Sequence, residues 1–185
     1  MERLSVILRI FGRFFWMFSE GEKFNDIKSM CHVDYANYLH DKKNIDKATL
    51  YYRKAITLNP NNHYAYGGLA AAQVDKGLLE QALESCKKAI SIKESAVLFI
   101  LENLIYRSLG QPLLAEVARQ KAIEFLGGNL AAYTHLSNLY LKFNMYEEAE
   151  YYCKEALKIN PNDDDLRFHL NKIYSAKEKR KQGSS

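Results

Sequence analysis

Apolar side chains recur along this chain at helical spacing, and alanine recurs among them at a longer period. Successive alanines of one series are 34, 33 and 34 residues apart, and a second series runs seven residues ahead of it. The two series are Ala55, Ala89, Ala122 and Ala156, and Ala48, Ala82, Ala115 and Ala149. This period is typical of arrays of helical repeats. Because no alternating strand pattern occurs and only 3 prolines and 9 glycines interrupt the chain, an all-α fold is predicted.

The period divides the chain into four repeats, each predicted to be a pair of antiparallel helices. The repeats are 29–62, 63–95, 96–129 and 130–163. A single pair cannot bury its apolar face alone, so neighbouring pairs are expected to stack. Residues 164–177 begin with acidic residues and carry one apolar face, which predicts a helix that caps the array. Residues 178–185 are predicted to be a basic, disordered tail.

Residues 1–28 are predicted to form an amphipathic, strongly apolar N-terminal helix followed by a linker. One face of the helix carries Ser5, Arg9 and Arg13. The other face is apolar and consists of Leu4, Ile7, Leu8, Phe11, Phe14, Phe15 and Phe18. The apolar run is shorter than the roughly 20 residues that span a bilayer. No cleavage site of the signal-peptide type follows it.

Three roles for this N-terminal helix remain open at this point. The helix can fold back as a cap on the first repeat. It can lie in a membrane interface with its arginines, Arg9 and Arg13, toward anionic lipid. It can also dock in the groove of another copy, which would build a homo-oligomer through a chain-forming contact.

The fourth repeat carries a pattern of large and small residues that characterises a known family. It reads Tyr133, Leu136, Ser137, Tyr140, Ala149, Ala156 and Pro161. The pattern resembles the tetratricopeptide repeat. The resemblance implies a solenoid, a right-handed superhelix of antiparallel helix pairs with a concave face that binds other chains. The third repeat departs from the pattern at Glu102, Asn103, Arg119 and Gly127, so looser packing is expected there.

The resemblance also implies which residues form a partner groove. In this family the inner surface comes mainly from the first helix of each repeat. The corresponding residues are Val33, Asn37, Tyr64, Gly67, Ala71, Val74, Val97, Ile100, Leu101, Leu104, Arg107, Thr134, Asn138 and Leu141. This mostly apolar set favours an apolar helix or an extended hydrophobic segment as the ligand. The alternative is that several of these side chains simply pack between neighbouring helices.

Tetratricopeptide co-chaperones bind the carboxylate end of heat-shock proteins through lysine, asparagine and arginine side chains. The corresponding places are occupied by Val33, Asn37, Gly68, Val97 and Leu101. Only Asn37 has the required residue type, so the resemblance argues against a chaperone tail as the ligand.

A second resemblance concerns the N-terminal part. The stretch "FFWMFSEGEKFNDIKS", which runs into "YANYLHDKKNIDKA", is similar to magnetosome-associated tetratricopeptide proteins of magnetic bacteria. This resemblance implies a scaffold that assembles on a vesicle membrane through contacts between the N-terminal segment and the groove.

Charge and chemistry exclude several other classes of function. The net charge of +4 is matched by residues 172–185 alone, which carry five basic groups against Glu178, so no basic nucleic-acid-binding face is expected. The three cysteines form no CxxC pair, which fits a reducing cytosol, and two of them are predicted to be buried thiols. No histidine spacing or motif indicates an active site, a cofactor or a metal site.

The sequence therefore predicts a non-catalytic scaffold or adaptor that binds a protein or peptide in its groove. One version is cytoplasmic and peripheral on a membrane, where it self-assembles. The alternative is a soluble cytosolic adaptor whose N-terminal helix is only a cap.

Overall fold

The computed structural model describes residues 21–182, and this part of the chain contains nine α-helices and no strand. The helices are α1 (Gly21–Asp41), α2 (Ile45–Leu58), α3 (His63–Asp75), α4 (Leu79–Ile92), α5 (Ala96–Ser108), α6 (Pro112–Phe125), α7 (Leu130–Lys142), α8 (Tyr146–Ile159) and α9 (Asp164–Gln182). The predicted all-α fold is confirmed. The predicted N-terminal helix, residues 4–18, lies outside the described residues.

The first eight helices pair into hairpins whose turns share one backbone geometry. Each turn contains a residue with a positive φ, and these residues are Lys43, Gly77, Gly110 and Asn144, with φ values of 60°, 72°, 71° and 58°. They recur at the repeat period, so every repeat turns at the same place. Glycine and asparagine adopt this left-handed conformation at little steric cost, which explains three of the four residues.

Side-chain caps define where the first helices of the later repeats begin. Asn62, Ser95 and Asn129 each accept a hydrogen bond from the backbone nitrogen three residues later. Such a bond satisfies one of the amide groups that a helix N-terminus leaves open. The second helices α2, α4, α6 and α8 have no side-chain cap, so their start follows from the preceding turn.

The two alanine series lie where the helices of each hairpin approach most closely. All eight alanines are buried, with exposures of 3% or less. Cys86 and Cys153 are also fully buried, as predicted. Small side chains at these positions permit close helix packing, because a larger residue would push the helices apart.

The chain divides into two compact units, Met1–Glu94 and Ser95–Ser185. Unit 1 contains α1 to α4, and α3 packs closely against both α2 and α1. One cluster of its core consists of Val33, Ala36, Leu39, Ala48, Tyr52, Ala55, Ala65, Leu69 and Ala72. Both helices of the first repeat therefore share a core with the first helix of the second repeat.

Unit 2 contains α5 to α9. The α5–α6 hairpin touches α7 only sparsely, whereas α9 packs along α8 and buries Leu166 and Ile173. The helix α9 continues to Gln182, five residues beyond the predicted end of the cap at residue 177. Side-chain contacts with α8 explain the extension, since Lys177 donates a 3.2 Å hydrogen bond to Glu150 and Arg180 lies over the Tyr146 ring.

Candidate protein-binding surfaces

One side of α3 presents an apolar row within unit 1, which we call the inner row. It consists of Tyr64, Gly67, Ala71 and Val74, spaced by three or four residues and therefore on one face of the helix. Tyr64 is 53% exposed and the other three residues are half-buried. The row contains no charged residue, so it can contact an apolar ligand without desolvating an ion.

The buried ring of Tyr52 connects α3 to α1 beside the inner row. Its hydroxyl donates a 2.7 Å hydrogen bond to Oδ1 of Asn37, an exposed residue of the predicted groove. Burial raises the pKa of Tyr52, so the hydroxyl stays protonated and remains a donor. The side-chain nitrogen of Asn37 keeps its N–H donors for other acceptors.

The close approach of Tyr52 requires a glycine in α3. A Cβ atom on Gly68 would overlap Cε1 and Cζ of the Tyr52 ring, well inside van der Waals contact. The ring therefore occupies the space that any side chain at this position would need. Sequence reasoning did not identify Tyr52 as part of the surface, although its bulk at a repeat position that holds cysteine in other repeats was a usable signal.

Two contacts between charged or titratable side chains lie at helix ends in unit 1. Nε2 of His40 lies 3.0 Å from Oδ2 of Asp75, and Nζ of Lys76 lies 2.6 Å from Oδ1 of Asp46. These contacts join the end of α3 to α1 and α2. They leave the centre of the inner row apolar.

The predicted groove residues of unit 2 form a more polar surface. Val97 is 41% exposed, Arg107 and Asn138 are exposed, and Leu104, Thr134 and Leu141 are half-buried. Arg107 forms an ion pair with Glu148 of α8. An apolar ligand on this face would have to pack beside a charged pair.

Three of the predicted groove residues are not accessible. Val33, Ile100 and Leu101 are exposed by 3%, 0% and 3%, and Val33 belongs to the core cluster of unit 1. A side chain buried to this extent stabilises the fold and cannot contact a partner. For these residues the alternative interpretation, packing between helices, describes the structure better.

Unit 2 has a crevice of about 550 Å³ that the sequence did not predict. Arg119 crosses it, donating a 2.8 Å hydrogen bond to the hydroxyl of Tyr152 and pairing with Glu116. That hydrogen-bonded pair lowers the pKa of Glu116 and raises the pKa of Arg119, so both stay charged. Arg107 and Asn103 complete its wall.

Tyr152, which lines the crevice, stacks on the buried ring of Tyr140. The rings of Tyr140 and Tyr152 lie 5.3 Å apart and nearly parallel, at 5°. The hydroxyl of Tyr140 is buried and forms no hydrogen bond within the described part of the chain.

Residues 21–182 hold no candidate for other kinds of site. This region has no helix with both the length and the apolar character needed to cross a bilayer. It also has no cluster of three or more histidine, cysteine or acidic side chains suited to a metal ion. The predicted docking face of residues 4–18 lies outside the described part of the chain.

Family models and solved structures identify the repeat. Models described as tetratricopeptide repeat match residues 31–62, 51–84 and 130–163. The chain contains tetratricopeptide repeats. Its alanine seams, its positive-φ turns and its hairpins are thus the features of tetratricopeptide helix pairs, and the solenoid predicted from the sequence is confirmed.

The curated relatives of this tetratricopeptide protein are much longer than the chain. Protein STIP1 homolog from Dictyostelium discoideum is 26% identical over 147 residues, covering 80% of this chain and 21% of the relative. DnaJ homolog subfamily C member 7 from Mus musculus is 27% identical over 126 residues, covering 66% and 26%. The chain therefore spans only about a quarter of these relatives or less.

Solved tetratricopeptide structures match most of the chain. TTC0263 from Thermus thermophilus has a TM-score of 0.60 at 23% identity, covering 93% of this chain and 96% of that one. MamA has a TM-score of 0.52 at 22% identity, covering 84% and 85%. YrrB has a TM-score of 0.53 at 24% identity, covering 82% and 79%. The predicted resemblance to magnetosome-associated tetratricopeptide proteins such as MamA is confirmed at the level of the fold alone.

The family assignment also decides the broad class of activity. Tetratricopeptide arrays are non-catalytic modules that bind other proteins, which supports the predicted adaptor and the prediction that the chain is not an enzyme.

Proposed function

We propose that this chain is an adaptor that binds an apolar helix or extended segment of a partner protein on unit 1. The observation that carries the proposal is the inner row, which is apolar and uncharged and has an exposed tyrosine at one end. The small residues Gly67 and Ala71 at its centre let a partner backbone approach closely.

Asn37 adds a polar group next to this apolar surface. Its carbonyl oxygen is held by Tyr52, and its amide nitrogen can donate to a backbone carbonyl of the ligand. One fixed hydrogen-bonding group beside an apolar row is a common arrangement for a peptide site. YrrB is described as a TPR protein with an unusual peptide-binding site, so the fold is compatible with peptide ligands.

Three finer functions predicted from the sequence stay predictions. Peripheral membrane contact, self-assembly and a magnetosome-type scaffold all depend on residues 4–18, which lie outside the described residues. A cytoplasmic location likewise stays a prediction. A chaperone tail is not proposed as the ligand, because apolar residues or glycine occupy four of the five clamp positions.

Peptide selection on the full chain tests the inner row. A displayed peptide library should yield apolar sequences, and Ala71→Glu should then weaken their binding, because the carboxylate would be desolvated by the ligand. Disrupting the centre of an interface costs at least about 2 kcal/mol, or about 30-fold in Kd. Isothermal titration of the selected peptides measures the loss.

Lys88→Glu on the exposed side of α4 is the matched control, since it adds negative charge to unit 1 away from the inner row. It should leave Kd unchanged. Peptides that bind Ala71→Glu as tightly as the wild type would contradict the proposal, provided that far-UV circular dichroism shows both variants to be folded.

A further inference from the structure

In unit 1 the preceding helix α2 covers three positions of α3, and the equivalent positions of α7 in unit 2 are also buried. In α3 these residues are Ala65, Leu69 and Ala72, exposed by 0%, 7% and 0%. They belong to one cluster with Ala48, Tyr52 and Ala55 of α2. In α7 the equivalent residues are Ala132, Leu136 and Leu139, exposed by 2%, 0% and 8%. In unit 1, full burial of a first helix therefore depends on the second helix of the preceding repeat.

The equivalent residues of α1 are larger and more exposed. They are Cys31, Tyr35 and Tyr38, each 34 residues ahead of its counterpart in α3. Tyr35 is 42% exposed and Tyr38 is 49% exposed, while Cys31 is half-buried. Within residues 21–182 no helix precedes α1, so in this part of the chain no counterpart of α2 covers Tyr35 and Tyr38.

These residues belong to a longer apolar stripe along α1, which we call the outer stripe. It consists of Phe24, Ile27, Cys31, Tyr35 and Tyr38, at helical spacing. The opposite face of α1 is the one buried in the core of unit 1. A helix with two apolar faces is expected to have a neighbour on each of them.

Aromatic rings from α2 widen the outer stripe. The ring of Tyr51 in α2 meets the ring of Tyr35 in α1 edge-on, with the ring centroids 4.7 Å apart. The ring centroid of His32, also in α1, lies 5.5 Å from that of Tyr51. Leu50 beside them is 50% exposed. Contiguous exposed apolar surface of this kind marks a contact site more often than a single exposed residue does.

We propose that residues 4–18 of the same chain cover the outer stripe, as the second helix of an incomplete repeat ahead of the first. Residues 1–20, which precede the described region, lead directly into Gly21, where α1 begins. A turn at Ser19 and Glu20 would bring the segment back antiparallel to α1, as α2 packs against α3 in unit 1.

The length of the segment matches the stripe. As a helix, residues 4–18 would span about 22 Å, and the rise along α1 from Gly21 to Tyr35 is about 21 Å. With the turn at residues 19 and 20, Phe15 faces Phe24, Leu8 faces Cys31, and Leu4 faces Tyr35. The apolar side of the segment then lies on the stripe, and Arg9 and Arg13 point to solvent.

A disulfide in the full chain tests this pairing. Leu8→Cys should form an intramolecular bond with the native Cys31 on oxidation, because a disulfide requires Cα atoms within about 7 Å. Arg9→Cys is the matched control, since it places the same thiol one residue away on the opposite face, and it should stay reduced. Cys86 and Cys153 are buried and do not compete. Peptide mapping by mass spectrometry identifies the bond.

Three results would overturn the proposal. The first is the absence of a disulfide in Leu8→Cys. The second is a disulfide in Arg9→Cys with the same yield as in Leu8→Cys. The third is a disulfide between two chains whose yield rises with protein concentration. The last result would favour docking in a second copy. Failure of the Leu8→Cys bond to form when phosphatidylserine vesicles are added before oxidation would also overturn it, in favour of a membrane-bound segment.

Trp16, the only tryptophan of the sequence, lies on the same helical face as Arg9, so moving it to the stripe-facing position 15, by Phe15→Trp with Trp16→Phe, provides an independent readout. Replacing Tyr35 and Tyr38 together by serine in this variant should shift its emission to longer wavelength, because the segment loses its contact surface. Tyr64→Ser, on the inner row, should leave the emission unchanged. The opposite pattern would overturn the proposal, because it would show that the segment occupies the inner row instead.

Discussion

Unit 1 and unit 2 each join two tetratricopeptide hairpins, but different side chains make the two junctions. Tyr52 and Arg119 occupy the same repeat position, two periods apart. Tyr52 is 1% exposed and its ring fills the space over Gly68. The Arg119 side chain is 29% exposed and reaches across a crevice to Tyr152.

The comparison separates two levels of the fold. All four hairpins keep the same alanine seams and the same turn, so the repeat period determines the structure within a hairpin. The junction between hairpins depends on one or two residues whose type the repeat pattern does not determine. In unit 1 the junction is closely packed, because the Tyr52 ring lies on Gly68. In unit 2 the junction is open and polar, because Arg119 lies between Glu116 and Tyr152.

The largest expected effect comes from removing the Tyr52 ring from the closely packed junction of unit 1. Tyr52→Ala should destabilise the protein by about 3–5 kcal/mol, because it leaves a cavity where an aromatic side chain was buried. Arg119→Ala at the equivalent position should cost about 1 kcal/mol or less, since its ion pair is partly exposed. Urea denaturation measures both changes. Hydrogen exchange read by mass spectrometry separates residues 21–94 from residues 95–182.

Tyr52→Phe is the control that keeps the ring and removes only the hydrogen bond to Asn37. It should cost about 1 kcal/mol. Equal losses for Tyr52→Ala and Arg119→Ala would mean that the two junctions contribute alike and that the comparison has no energetic meaning.

A smaller effect is expected from filling the space under the ring. Gly68→Ala brings a methyl group into Tyr52, and overpacking of this kind costs about 1–3 kcal/mol. Alanine recovers up to about 1 kcal/mol as the better helix former. Net destabilisation is therefore expected, whereas glycine to alanine in an open helix position would stabilise.

His135 is the residue of α7 that corresponds to Gly68, and it is exposed. His135→Ala should change the unfolding free energy by less than about 0.5 kcal/mol. A stabilised Gly68→Ala variant would show that the ring moves aside easily, and unit 1 would then be less tightly packed than its core suggests.

The sequence predicted the hairpins well because alanine spacing and turn residues act locally. Ala55, Ala89, Ala122 and Ala156 all have the role that their spacing indicated. The departures at Arg119 and Gly127 pointed to an unusual third repeat. They did not reveal a crevice, because its shape depends on Tyr152 and Glu148 from the next hairpin.

Accessibility at the candidate site was harder to predict. Tyr64 and Ile100 were both assigned to the groove from their repeat positions, yet one is 53% exposed and the other is fully buried. Family positions indicate which side of a helix a residue lies on. The depth of its side chain depends on all the neighbouring elements, and a pattern along one helix does not contain that information.

The smallest expected effect is a pH dependence of the stability, to which His169 contributes in unit 2 and His63 contributes in unit 1. Burial lowers the pKa of His169 in unit 2, with Lys172 adding to the shift, and burial also lowers the pKa of His63 in unit 1. Nε2 of His169 lies 3.0 Å from Oγ of Ser137. Because Ser137 donates its own proton to the Ala149 carbonyl, the histidine is the donor in this contact.

A histidine whose pKa is lower in the folded state binds fewer protons folded than unfolded at intermediate pH. The stability it supports is complete above the unfolded pKa of about 6.5 and declines as the pH falls toward the folded value. His169→Gln should therefore reduce the loss of stability toward urea between about pH 7.5 and pH 5.5, a range in which carboxylates stay ionised.

His63→Gln should reduce the same loss through unit 1. Because the two histidines lie in separate units, the double variant should show the sum of the two effects. An unchanged pH dependence in His169→Gln would mean that α9 already exposes this ring to water, and a non-additive double variant would mean that the units do not unfold independently.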